Sequence, residues 1–190
     1  MKIKSRYLKF NKPYGVLSSF SDPEGRPTLS DYIPVKEVYA AGRLDFDSEG
    51  LMILTNDGNL VHHLIEPRFH LPKTYFVQVE GEIAPAALHA LESGVEIKGG
   101  YKTQRCKVLP INEPGIGERS KPITPHGPTN WLRIEITEGK KRQIRHMTAA
   151  VGLPTLRIFR VAIGDVTVTG LEPGAWRDLT PQEIEKLWRK

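Results

Sequence analysis

From Trp131 to Thr137 apolar and polar side chains alternate, with Leu132, Ile134 and Ile136 on one face and Arg133 and Glu135 on the other. That period of two predicts an antiparallel strand with one wet face. Tyr75, Val77 and Val79 alternate with Phe76, Gln78 and Glu80 in the same way and predict a second half-buried strand. Residues 51–55, Leu-Met-Ile-Leu-Thr, are a short continuous apolar run, which suits a buried strand. Asn56-Asp57-Gly58 follows it as a turn, because these residues tolerate positive φ. Residues 6–10 and 156–169 predict further strands, the first ended by the turn signal Lys12-Pro13-Tyr14-Gly15.

Helical spacing appears in four places. Residues 59–65 predict a short helix that stops before Pro67. Residues 84–92 place Leu88 and Leu91 on one face, with Gly94 past the end. Residues 140–151 carry the stripe Ile144, Met147 and Val151, closed by Gly152 and Pro154. Thr180-Pro181 opens a last helix, with Thr180 as N-cap, Pro181 at its first position and Glu183 completing a capping box. Residues 22–30 read as loop. Residues 110–130, with five prolines and three glycines, read as a long surface loop. Its Gly115-x-Gly117 and Lys121 lack the spacing and the strand-to-helix context of a phosphate loop. Strands outnumber helices without alternating with them, so the expected class is α+β, an antiparallel or mixed central sheet with flanking helices.

Composition narrows this only a little. A chain of 190 residues fits one domain, residues 1–190, with a real core. A net charge of +5 suits a polyanionic partner but is a weak signal alone. The single cysteine, Cys106, allows no internal disulfide and points to a reducing compartment. The start Met1-Lys2-Ile3-Lys4-Ser5-Arg6 has no apolar core behind it, and no apolar run reaches the length of a membrane span. A cytoplasmic, monomeric protein without a membrane partner is expected. The six histidines show no metal-ligand spacing, and no metal is expected.

The densest candidate for chemistry is the glycine-bounded charged loop Gly42-Arg43-Leu44-Asp45-Phe46-Asp47-Ser48-Glu49-Gly50, leading into the apolar run. A loop on a rigid scaffold is a good mount for a carboxylate. On residues alone, a solvated turn with a weak Arg43–Asp45 contact is the commoner meaning. Lys140-Lys141-Arg142-Gln143-Ile144-Arg145-His146 places four cations at an expected helix start, where they oppose the macrodipole. An RNA phosphate or a buried carboxylate would explain them, though a solvated basic face is more common. Tyr75 reads either as a packed tyrosine or as a platform for an unpaired base.

Taken in order, these segments resemble a known family. Lys12-Pro13-Tyr14-Gly15-Val16, then Gly42-Arg43-Leu44-Asp45 with Gly50-Leu51-Met52-Ile53-Leu54-Thr55-Asn56-Asp57-Gly58, then Lys73-Thr74-Tyr75, then Glu138-Gly139-Lys140-Lys141-Arg142-Gln143-Ile144-Arg145-His146-Met147 are similar to its motifs. The end, with Gly164, Leu171, Gly174 and Trp176-Arg177-Asp178-Leu179-Thr180, is similar too. The family is the bacterial rRNA pseudouridine synthases, in the branch that joins the A type of the small ribosomal particle to the B, E and F types of the large one.

The resemblance implies the family's catalytic fold, two lobes around a central cleft, here without the N-terminal RNA-binding domain of several members. It implies an isomerase acting on a uridine of large-subunit (23S) ribosomal RNA with no cofactor. It assigns catalysis to Asp45, Tyr75 and Arg145: the carboxylate, a ring stacked on the extruded uracil, and a guanidinium that keeps the carboxylate ionised. Arg43, Lys12, Lys73, Lys140, Lys141 and Arg142 become the expected substrate contacts. Whether Asp45 attacks the sugar, attacks the base or takes a sugar proton stays open. A non-catalytic RNA-binding protein and a base-releasing N-glycosylase are the rival functions.

Overall fold

The computed structural model describes residues 4–189. The chain divides into two compact units, one of residues up to 71 together with residues from 160 onward, the other of residues 72–159. In chain order the first unit opens with β1 (Tyr7–Lys12), β2 (Tyr39–Ala40), β3 (Glu49–Thr55) and α1 (Gly58–Ile65). The second holds β4 (Lys73–Glu80), α2 (Pro85–Ser93), β5 (Glu96–Ile97), β6 (Tyr101–Lys102), β7 (Lys107–Ile111), β8 (Thr129–Ile136) and α3 (Gln143–Ala150). The division falls inside β9 (Thr155–Ile163), and β10 (Val166–Thr167), β11 (Trp176–Asp178) and α4 (Pro181–Trp188) return to the first unit. The class is α+β, as the irregular order of strands and helices predicts.

In the first unit β3 is buried at every residue, which is why its sequence is a continuous apolar run rather than an alternation. It pairs antiparallel with β1 (Phe10 opposite Met52, Lys12 opposite Gly50) and with β2, and β1 pairs antiparallel with β11. Leu51 and Ile53 share one core cluster with Leu60 and Leu64 of α1 and Leu187 of α4. Each such side chain contributes about 1.5–3 kcal/mol by leaving water. Asp57 does more than turn the chain: its side chain accepts from the backbone N–H of Asn59 and Leu60 and caps α1. The expected capping box at Thr180 and Glu183 is present at the start of α4.

In the second unit β4, β8 and β7 pair antiparallel in that order. Val77 and Val79 are buried in β4, as are Leu132, Ile134 and Ile136 in β8, so both alternations point their apolar face inward. The loop after β7 is shorter than the composition suggests, because Pro110 and Ile111 pair with Leu132 and Trp131. β7 ends the order of strands, where a proline's missing N–H goes unneeded. Two-residue β5 and β6 form a small hairpin closed by Lys98-Gly99-Gly100, with Ile97 opposite Tyr101. Both glycines take positive φ, 93° and 75°, which this reversal requires.

Candidate functional site

Asp45 sits in a loop whose backbone is fastened at three consecutive residues. Before it, the Leu44 N–H donates to Ser18 Oγ (3.1 Å), and the Ser18 hydroxyl lies 2.7 Å from the Leu44 carbonyl. At Asp45 itself, the carbonyl accepts from the Ser48 N–H at 3.0 Å. After it, the Phe46 carbonyl accepts from the Gly15 N–H at 2.9 Å. The Leu44 side chain is buried and anchors the loop to the core, while Asp45 is half-buried and Arg43 exposed. Ser18 carries no motif of its own, so nothing in the sequence singles it out.

The loop runs into β3 at Gly50, whose φ is 103°. A Cβ there would fall 2.3 Å from the Arg160 carbonyl oxygen, so no larger residue fits. Arg160 is itself buried, and its Nε donates to the Leu51 carbonyl at 2.7 Å. It is a buried cation at the loop's end that sequence patterning did not reveal.

Lys12 does not lie where a substrate contact must. It is fully buried, and its Nζ donates to the carbonyls of Pro13 (2.9 Å) and Val16 (2.7 Å). Burial pulls its ammonium down to about 8, and the carboxylates of Glu49, Asp47 and Asp45 pull the other way. The expectation that Lys12 touches RNA is therefore corrected. A side chain this enclosed offers a phosphate no surface, and its charge serves the acidic loop instead.

The remaining expected residues belong to the second unit. Tyr75 lies in β4 opposite Ile134 and is 8% exposed; half-buried Lys73 lies opposite Ile136. Arg145 is half-buried on α3 beside buried Ile144, and its Nη1 donates to the Thr155 carbonyl at 3.4 Å. Helix α3 begins three residues later than expected, at Gln143. Arg142 precedes it in a left-handed conformation (φ 53°), and Lys140 and Lys141 lie in the loop before that. These three cations thus stand at and just before the N-terminus, and Arg145 in the first turn, where the macrodipole still opposes them. Lys140 and Lys141 are exposed.

The profile of a family described as RNA pseudouridylate synthase matches residues 6–150. A ribosomal large subunit pseudouridine synthase E of Vibrio parahaemolyticus is 54% identical over 176 residues, covering 92% of this chain and 74% of its own. The protein of the same name from Xanthomonas campestris is 50% identical over 172 residues, covering 88% and 91%. Among solved structures, a crystal structure of a pseudouridylate synthase superposes with a TM-score of 0.83 at 30% identity, over 97% of this chain and 74% of that one. An H/ACA ribonucleoprotein bound to a substrate RNA containing 2′-deoxyuridine shares the fold, with a TM-score of 0.58 at 13% identity over 85% of this chain and 48% of that one.

Proposed function

Since the chain belongs to the RNA pseudouridylate synthase family, we propose that Asp45 is the carboxylate with which it isomerises uridine to pseudouridine in large-subunit ribosomal RNA. The reaction and the substrate follow from the relatives at about 50% identity, which carry the large-subunit synthase name. The assignment of Asp45 is carried by its mounting: three successive backbone groups are tied down around one half-buried carboxylate.

Isomerisation breaks the N1–C1′ bond, turns the uracil and joins C5 to C1′. The C5 proton leaves to solvent and N1 gains one, so nothing is consumed. As the glycosidic bond breaks, C1′ becomes electron-poor. A fixed carboxylate stabilises that centre or bonds to it, as in retaining glycosidases. The departing uracil delocalises its own negative charge over its carbonyls, so one aspartate suffices. A paired base is out of reach, and the uridine is extruded or already single-stranded. Tyr75 takes the role of stacking on the uracil, and Arg145 that of keeping the carboxylate ionised. Arg43, Lys73, Lys140, Lys141 and Arg142 hold phosphates. The enzyme works in the cytoplasm as a monomer and without a cofactor.

The test is tritium release from large-subunit rRNA labelled at uracil C5. Asp45→Asn should lower the rate by about 10⁴-fold or more, the scale of removing a group that bonds to substrate, while the protein still binds the RNA. Release at the wild-type rate would remove Asp45 from the chemistry. Release of free uracil would favour an N-glycosylase.

A further inference from the structure

Inside the second unit a cavity of about 710 Å³ lies between the β5–β6 hairpin and the segment before α3. Ile97, Lys98 and Tyr101 line it from the hairpin, and Lys140, Lys141 and Arg142 from the opposite segment, with His146 of α3 beyond them. Four of these are permanent cations and none is acidic. The Lys140 ammonium lies 4.6 Å from the centre of the Tyr101 ring, a cation–π contact that fixes where the charge points. We propose that this cavity is an RNA subsite in which Lys98 adds a second wall to the phosphate contacts of Lys140, Lys141 and Arg142. It takes the phosphodiester backbone of a neighbouring stretch of the same rRNA.

The walls are held together by one carboxylate. Glu138 is buried, and it accepts from the Tyr101 hydroxyl, from the Gln104 N–H (2.9 Å) and from Gln143 Nε2 (2.6 Å). Gln143 in turn accepts from the Lys140 N–H at 2.9 Å through its Oε1. Hairpin, loop and helix start are thus tied to a single anion whose acceptors are all turned inward. The cations above it face the cavity, and none of the lining residues is a carboxylate. Like charges gathered this closely repel one another, so they gain most from a polyanion. Lys98 is exposed on a tight turn, and no family motif covers it; it is the added element that turns a basic segment into a two-sided cleft.

This inference rests on RNA being the substrate, and its test separates it from the assignment of Asp45. Binding of in vitro transcribed large-subunit rRNA is measured by filter retention across a salt series for wild type, Lys98→Glu, Lys98→Arg and Lys36→Glu. Lys36 is an exposed lysine of the first unit and serves as the charge-matched comparison. Lys98→Glu should weaken binding about tenfold and lower the slope of log affinity against log salt by roughly 0.7–0.9, one phosphate contact. Lys98→Arg should restore both. Tritium release from the same samples should show the loss of Lys98→Glu mainly in KM. Equal affinity and slope for wild type and Lys98→Glu overturns the subsite. So does an equal effect of Lys36→Glu, which would reduce the result to net charge. A binding difference without tritium release from any sample leaves the subsite standing and counts against the isomerase reading.

Discussion

Beneath the Asp45 loop a buried cation lies within reach of carboxylates; beneath the Lys140 loop a buried carboxylate lies under cations. Lys12 spends its hydrogen bonds on two carbonyls and faces the charges of Glu49, Asp47 and Asp45. Glu138 spends its acceptors on three donors from three different segments. The contrast is in what each buried charge has to achieve. The acidic loop offsets only part of what burying the Lys12 charge costs, so its contribution depends on pH. Glu138 accepts from neutral donors, so its value is geometric. On the proposed function the first region offers its carboxylate to an electron-poor sugar, and on the proposed subsite the second offers its cations to phosphates.

The sharpest way to break this comparison is to remove the buried cation. Lys12→Met keeps the length of the side chain but removes the donor to the Pro13 and Val16 carbonyls, two hydrogen bonds from a charged group, and should cost about 3–5 kcal/mol of stability. Urea unfolding checks it; a loss below about 1 kcal/mol would mean that the two carbonyls do not depend on Lys12.

Next in size is the pH dependence. Between about 8, the folded value, and the ordinary lysine value of 10.5, the unfolded chain holds a proton on Lys12 that the folded chain has given up. Stability from this group therefore rises across that window, by roughly 3 kcal/mol in all. Below pH 8 both states are protonated and the penalty of the buried charge is fully present. The stability gap between wild type and Lys12→Met should widen as pH rises from 8 to 10.5. A gap that stays flat would place the Lys12 charge in water.

The smallest effect is on the other side. Glu138→Gln keeps the shape but turns an NH₂ toward donors that need an acceptor, and should cost about 1–3 kcal/mol with little pH dependence near neutrality. It should also raise the KM for RNA by loosening the hairpin. A stability loss confined to alkaline pH would make Glu138 resemble Lys12 and dissolve the contrast.

Which features the sequence reveals follows from the length and the environment of each element. β3 and α4 are legible because one is a full apolar run and the other opens on a complete capping box. β5 and β6 are not, because two residues carry no periodicity. Pro110 hides the end of β7, since a proline weakens any strand reading. Lys12 misleads for a different reason. β1 is buried at five consecutive residues, Leu8 through Lys12, so polar residues in it do not mark a wet face. Lys9, for example, is also buried and donates to the Thr167 carbonyl at 3.0 Å. Asp45 and the 140–142 cations are legible as motifs, but the fastening by Ser18 and the grip of Glu138 on the hairpin are contacts between distant segments. No local pattern encodes them.

The division of the chain also sets an order of assembly. The unit with the basic cavity is one continuous stretch, residues 72–159, and can close as soon as it has been synthesised. The unit with Asp45 is interrupted: β1 waits for β11, and the core around β3 waits for Leu187 near the end of the chain. During vectorial synthesis the nascent protein therefore presents a folded polycationic surface before the core around β3 is closed. Until Leu187 has been synthesised, the core around β3 lacks one of its side chains while residues 72–159 are already complete.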